Sequence, residues 1–173
     1  AEGLLSQPVI NTTNHTVKLT LDEITDIRKV NISNVVFTEG ATSDVAFPGT
    51  FDLRNPLYVN LSRYQTFEWT ITAEQSISYE FRVEGQIGES EIDANGHIAT
   101  AYVPMDFDLN NVKILAAKFG PRDITSYSPD PFSLKSFENT VRNVIVNYHD
   151  DIEEMWTLRI IPKDVEVEFT SVD

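Results

Sequence analysis

Two tandem Ig-like antiparallel β-sandwich modules, an all-β fold, are what this sequence predicts. Three observations carry the prediction. Apolar and polar residues alternate with period two through most of the chain, turn-formers separate the alternating runs, and the first half matches the second.

The runs come in order. Val17, Leu19 and Leu21 alternate with Thr16, Lys18 and Thr20, as in a half-buried strand; Val30 and Ile32 flank Asn31. Leu57, Val59 and Leu61 form a third run, and Phe67, Trp69 and Ile71 a fourth. The second half repeats the behaviour at Ile98 to Val103, Val112 to Leu115, Val144 to Val146 and Trp156 to Ile160. Between them lie Thr13-Asn14, Pro48-Gly49, Asn55-Pro56, Asn95-Gly96, Gly120-Pro121 and Ser128-Pro129-Asp130-Pro131. Asn95-Gly96 predicts a two-residue hairpin turn with positive φ at both positions. No helical-period stripe exceeds two turns, so short strands closing into a sandwich are expected.

A shift of 82 residues lays 1–40 on 83–122 without a gap and gives 8 identities in 40 positions. Ordinary residue usage would give roughly 6%. Among them are Gly3/Gly85, His15/His97, Asp26/Asp108, Val30/Val112 and Phe37/Phe119. Phe51-Asp52-Leu53 then meets Phe132-Ser133-Leu134, and a later shift of 87 sets Val59 on Val146 and Trp69-Thr70-Ile71 on Trp156-Thr157-Leu158. The modules are therefore placed at 1–75 and 76–164, with 165–173 as a linker or the first strand of a following domain. That tail, Val165-Glu166-Val167-Glu168-Phe169, resembles Ser78-Tyr79-Glu80-Phe81. The first module has no counterpart of Ile77–Arg82, as though its first strand were removed or supplied differently.

Charge and composition narrow the function classes. The chain carries 27 acidic against 13 basic residues, a net of −14, and such a field repels phosphate backbones. Nucleic acid is not an expected partner. No stretch approaches the roughly 20 apolar residues of a spanning helix, so no membrane-spanning segment is expected. Cysteine is absent, which removes thiol nucleophiles, thiolate metal sites and disulfides.

Candidate chemistry is sparse. His15 and His97 fall on equivalent turns, which favours a shared structural role. His149 adjoins Asp150 and Asp151, but no Gly-x-Ser-x-Gly elbow supplies a nucleophile for a triad. Asp106-Phe107-Asp108-Leu109-Asn110 resembles a calcium loop without its central Gly and trailing Glu; Asp108 more simply makes an Asx turn. Asp150, Asp151, Glu153 and Glu154 could in principle pair for glycoside hydrolysis, yet consecutive acids on a hairpin tip ordinarily face water. Trp69 and Trp156 share strand faces with apolar neighbours and are expected in the core. Phe132, matching Phe51, is also assigned to the core. Tyr127 and Phe137, in the loop that varies between copies, are the ligand-binding candidates. No catalytic, cofactor-binding or metal residue is assigned, and no cofactor is expected.

The second module carries a recognisable series: Val83-Glu84-Gly85-Gln86-Ile87-Gly88, Ile92-Asp93, His97-Ile98-Ala99, Val103-Pro104 and Asp108-Leu109. It continues with Phe119-Gly120-Pro121, Asn147-Tyr148 and Trp156-Thr157-Leu158. This series resembles the Ig-like N-terminal modules of Bacteroidetes surface lipoproteins that precede a jelly-roll domain named for carbohydrate metabolism. The resemblance covers most of 77–173 and, more faintly, 1–76. It implies a Gram-negative cell envelope or surface, lipid anchoring upstream, and a place in glycan utilisation. The expected function is a non-catalytic module that spaces or docks a neighbouring domain of the same polypeptide, not an enzyme. The alternative is a carbohydrate- or protein-binding module using loops of the second sandwich.

Overall fold

The computed structural model describes residues 1–164; the tail 165–173 lies outside the described residues, and with it the expected linker or following strand. The chain divides into two compact units, the first ending at Ile77 and the second beginning at Ser78. Both are β-sandwiches, and among the described residues the helical content is one 3-10 turn, Pro131–Ser133.

The first unit has seven strands: β1 (Val9–Asn11), β2 (Thr16–Leu21), β3 (Val30–Ile32), β4 (Thr42–Ser43), β5 (Gly49–Phe51), β6 (Leu57–Ser62) and β7 (Thr66–Gln75). Its larger sheet runs β1-β2-β7-β6-β4, and β3 pairs with β5 in the smaller one. The alternation places Leu19, Leu21, Val30, Ile32, Val59 and Ile71 inside, where they form one apolar cluster with Leu53. Each fully buried Leu or Ile contributes roughly 1.5–3 kcal/mol relative to exposure, so this cluster outweighs the local turns.

The second unit has β8 (Glu80–Val83), β9 (Glu91–Asp93), β10 (Ile98–Val103), β11 (Ile114–Lys118), β12 (Ser126–Ser128), β13 (Val141–Tyr148) and β14 (Ile152–Pro162). Its larger sheet runs β9-β10-β14-β13-β12, the same order as in the first unit, and β11 pairs with β8. The core is larger and more completely closed: Trp156, Phe119, Phe137, Leu158 and Ile160 are all fully buried.

The sheets are not purely antiparallel. One parallel pair lies in each unit, β2 with β7 (Thr16 opposite Thr70) and β10 with β14 (Ile98 opposite Thr157). Long crossovers through the smaller sheet make these pairings possible. The registers coincide, since Thr16 matches Ile98 and Thr70 matches Thr157. One alignment changes. Val59 faces Trp69 in β6–β7, and Val144 faces Trp156 in β13–β14, so Val59 corresponds to Val144, not Val146. The extra length is shared by both arms of the β13–β14 hairpin, where a linear alignment cannot place it.

The turns match as closely as the strands. Asn11 Oδ1 accepts from the N–H of Thr13 at 3.0 Å and of Asn14 at 2.9 Å. Asp93 Oδ1 accepts from Asn95 at 3.1 Å and Gly96 at 2.9 Å. Such Asx bonds organise a four-residue turn whose left-handed residue is His15 (φ 55°) or His97 (φ 56°). The expected Asn-Gly two-residue turn is therefore corrected: positive φ falls on His97 and not on Gly96. Gly96 is needed for a different reason, because a Cβ there would sit 2.3 Å from Asp93 Oδ2. Asp26 and Asp108 also share a role, each accepting at 3.0 Å from the backbone N–H two residues on.

Candidate functional site

The two loop candidates of the second unit differ in exposure, Phe137 buried and Tyr127 partly exposed. Phe137 is fully buried within the apolar cluster that holds Trp156 and Phe119. Its assignment as a ligand platform is corrected: no face of the ring reaches solvent. Tyr127 lies on β12, half-buried, with its hydroxyl accepting from the Phe119 N–H at 3.0 Å and its ring edge-on to Phe119. Burial pushes its phenol above the usual range. Tyr127 thus ties the β11–β12 connection to the sheet. Phe132 was assigned to the core and is instead 54% exposed, on the 3-10 turn capped by Asp130.

The polar candidates are likewise engaged in local structure. Glu154 sits at the centre of one group: its carboxylate accepts from Tyr148 Oη at 3.2 Å and from Trp156 Nε1 at 3.4 Å, and lies 3.4 Å from His97 Nε2. His97 stacks on Trp156 at 5.3 Å between centroids. His149 and Asp150 have positive φ, at the tip of the β13–β14 hairpin, and Asp150 and Glu153 face water. Among the described residues no three His, Cys, Asp or Glu side chains converge as a metal site. Asp108, the shared member of the calcium-like run, holds its Asx turn.

What the sequence did not single out is a cleft in the first unit. A cavity of about 380 Å³ lies open beside its core, edged by Trp69, Phe37, Phe47, Val35 and Ile10. No side chain lining it is charged. Its origin is clear from the second unit. There Tyr79 packs on Trp156 at 5.3 Å and Phe81 on Phe119 at 6.1 Å, both brought in by β8 and the residue before it. Trp156 and Phe119 are fully buried as a result. Their counterparts Trp69 and Phe37 are only partly covered, and Phe37 leans on Phe47 at 6.0 Å. Trp69 keeps His15 at 5.0 Å, matching the His97–Trp156 pair. The core placement of Trp69 is therefore corrected to a cleft wall.

No protein-family profile matches the chain, and no curated protein matches it. Among solved structures, the chain is similar to a crystal structure described as a "putative glycoside hydrolase" from Bacteroides thetaiotaomicron VPI-5482. The two are 17% identical with a TM-score of 0.39, over 53% of this chain and 30% of that one. The chain thus spans less than a third of that neighbour's length, and a likeness at this level carries no argument about activity. Among the described residues no helix is long and apolar enough to cross a membrane.

Proposed function

We propose that the chain is a non-catalytic β-sandwich module that spaces or docks a neighbouring domain of the same polypeptide. The setting we propose is a lipid-anchored glycan-utilisation protein at the envelope of a Gram-negative bacterium. One observation carries the non-catalytic reading. The polar residues that recur in both units do the same structural work in each: the Asx turns of Asn11 and Asp93, the left-handed histidines, and the loop aspartates Asp26 and Asp108. A residue kept for chemistry in one unit would depart from its counterpart, whereas these pairs coincide. The envelope setting draws its support from the resemblance of the Val83-to-Leu158 series.

The test pairs an activity screen on plant and host polysaccharides with protease accessibility on intact cells of the source organism. The reading expects no hydrolysis and surface cleavage of the protein. Glycan cleavage that survives purification overturns the non-catalytic part, and protection in intact cells overturns the surface part.

A second reading, a binding module, is favoured by a specific observation that moves it between units. The open apolar cleft beside Trp69 lies in the first unit, while in the second unit Phe137 is buried and Tyr127 is half-buried with its hydroxyl engaged.

A further inference from the structure

We propose that Asn95 is a site of spontaneous covalent modification, conversion to aspartate and isoaspartate, and that the Asp93 carboxylate restrains the reaction in the folded second unit. The site does not rest on the spacer reading and survives its failure.

The reactive pair is exposed on a turn. Asn95 is the one asparagine of the chain followed by glycine. Both residues face water, and among the described residues no hydrogen bond holds the Asn95 side-chain amide. Gly96 has no Cβ to shield its nitrogen. That nitrogen loses its proton to hydroxide and attacks Asn95 Cγ. As the new N–C bond forms, the bond from Cγ to the side-chain nitrogen breaks; the leaving nitrogen takes a proton from water and departs as ammonia. Water then opens the cyclic imide. Cleavage between Cγ and the Gly96 nitrogen leaves aspartate. Cleavage between the Asn95 carbonyl carbon and that nitrogen leaves isoaspartate, whose backbone is one atom longer. No reactant other than water is consumed.

The Asp93 carboxylate stands against the attacking atom. Its Oδ1 accepts from the Gly96 N–H at 2.9 Å and the Asn95 N–H at 3.1 Å. Its other oxygen is so near that a Cβ on Gly96 would lie 2.3 Å from it. A negative charge there opposes loss of the amide proton, because the product is a second anion in the same place. The first unit supplies the reference. The shift of 82 sets Asn11 on Asp93, Thr13 on Asn95 and Asn14 on Gly96. Asn11 Oδ1 accepts the same two bonds, at 3.0 and 2.9 Å. A neutral side chain therefore holds this turn as well as a charged one does. The carboxylate occurs in the unit that carries the Asn-Gly pair.

Modification has a defined structural target. Two residues on, His97 keeps φ 56°, stacks on Trp156 at 5.3 Å and accepts from the Thr157 N–H at 2.8 Å. An extra backbone atom at position 95 draws the Gly96 N–H off Asp93 and carries His97 out of its place. The join between the β9–β10 hairpin and β14 loosens, while the first unit, with Thr13-Asn14, is spared.

The test holds the intact wild type, Asp93→Asn and Asn95→Thr in warm, mildly alkaline buffer and samples them over time. Peptide mass mapping locates the conversion, and labelling by an isoaspartate methyltransferase counts the isomer. Wild type should convert at residue 95 and Asn95→Thr should not. Asp93→Asn should convert about fivefold faster, the factor that one charge about 4 Å away exerts through water. In urea, where the turn is gone, wild type should react faster than when folded, and the two rates should approach each other. Converted wild type should show a lower urea midpoint for the second unit and an unchanged one for the first. Four results overturn the proposal. They are no conversion at residue 95 in the folded proteins, equal folded rates, a slower Asp93→Asn (the carboxylate then acting as a base), and a wild type that reacts no faster in urea.

Discussion

The imidazole of His97 lies 5.3 Å from the indole of Trp156, the rings 27° from parallel, and His15 holds Trp69 at 5.0 Å in the other unit. Each histidine reaches its tryptophan from a left-handed turn position, and its carbonyl accepts from the next residue of the closing strand: Thr70 at 2.9 Å or Thr157 at 2.8 Å. One local device thus joins the first hairpin to the last strand in both units. What differs is the rest of each indole's surroundings: Tyr79 at 5.3 Å and Phe119 at 5.0 Å pack on Trp156, whereas Trp69 borders the cleft.

That asymmetry should be visible in fluorescence. Trp156→Phe leaves Trp69 as the lone tryptophan, and its emission should be red-shifted and readily quenched by acrylamide. Trp69→Phe leaves Trp156, which should emit to the blue and resist quenching. The same logic orders the truncations. Trp156→Ala should cost the second unit about 3–5 kcal/mol, and Trp69→Ala should cost the first unit clearly less, about 1–2 kcal/mol. Urea unfolding followed by circular dichroism measures both.

His97→Ala should destabilise the second unit by about 1–2 kcal/mol, through the lost stacking and the strain of alanine in a left-handed position. His97→Asn keeps a side chain that tolerates that backbone and should lose less. Equal losses in urea melts would show that backbone strain contributes nothing here.

Tyr127→Phe removes the acceptor of the Phe119 N–H and should cost about 1–3 kcal/mol by leaving a donor unpaired. The tyrosine's raised pKa has a sign of its own. Its contribution is whole below about 10, where the unfolded phenol begins to ionise, and is lost as pH rises through the folded value. Alkaline melts of wild type and Tyr127→Phe should therefore converge at high pH.

Acid acts on the first unit through two exposed carboxylates. Asp44 is held below the usual range by its bonds from the Asn60 side chain and backbone, and Asp52 by the Arg54 guanidinium and backbone N–H. Their contribution is present above about 3.9 and is lost as pH falls through the depressed folded values. Asp44→Asn should flatten the acid limb of the first unit's urea midpoint between pH 5 and about 2 while leaving the limb above pH 6 unchanged.

Phe137→Ala should cost about 3–5 kcal/mol and leave any glycan response untouched, because the ring fills the core. Calorimetry on a still-folded Phe137→Leu variant separates lost binding from lost fold.

Alternation made the strands legible, and most inward residues follow it: Leu19, Leu21, Val30, Ile32, Val144, Val146, Leu158 and Ile160 are buried. The repeat was legible because its identities fall on turns whose hydrogen bonds demand particular side chains, such as Asp26 and Asp108. The site was not. Period two assigns a residue to a face without saying whether that face is covered, so Trp69 looked like Trp156. Loop aromatics have no period at all. Phe132 and Phe137 differ by five positions; the first sits exposed on the 3-10 turn after Asp130, and the second is buried with its N–H bonded to Leu109 O at 2.6 Å. The hairpin offset of Val59 escaped for a related reason, since lengthening both arms leaves the hydrophobic pattern unchanged.

The central claim is two copies of one sandwich, the second closed by its own strand and the first open at the same edge. Residue-resolved amide exchange on the intact chain tests it most directly. The β11 amides that face β8 should be protected to near the stability of the second unit, while Asn34–Val36 should exchange close to the rates of unstructured peptide. Comparable protection at Asn34–Val36 would contradict the open edge and the cleft behind it.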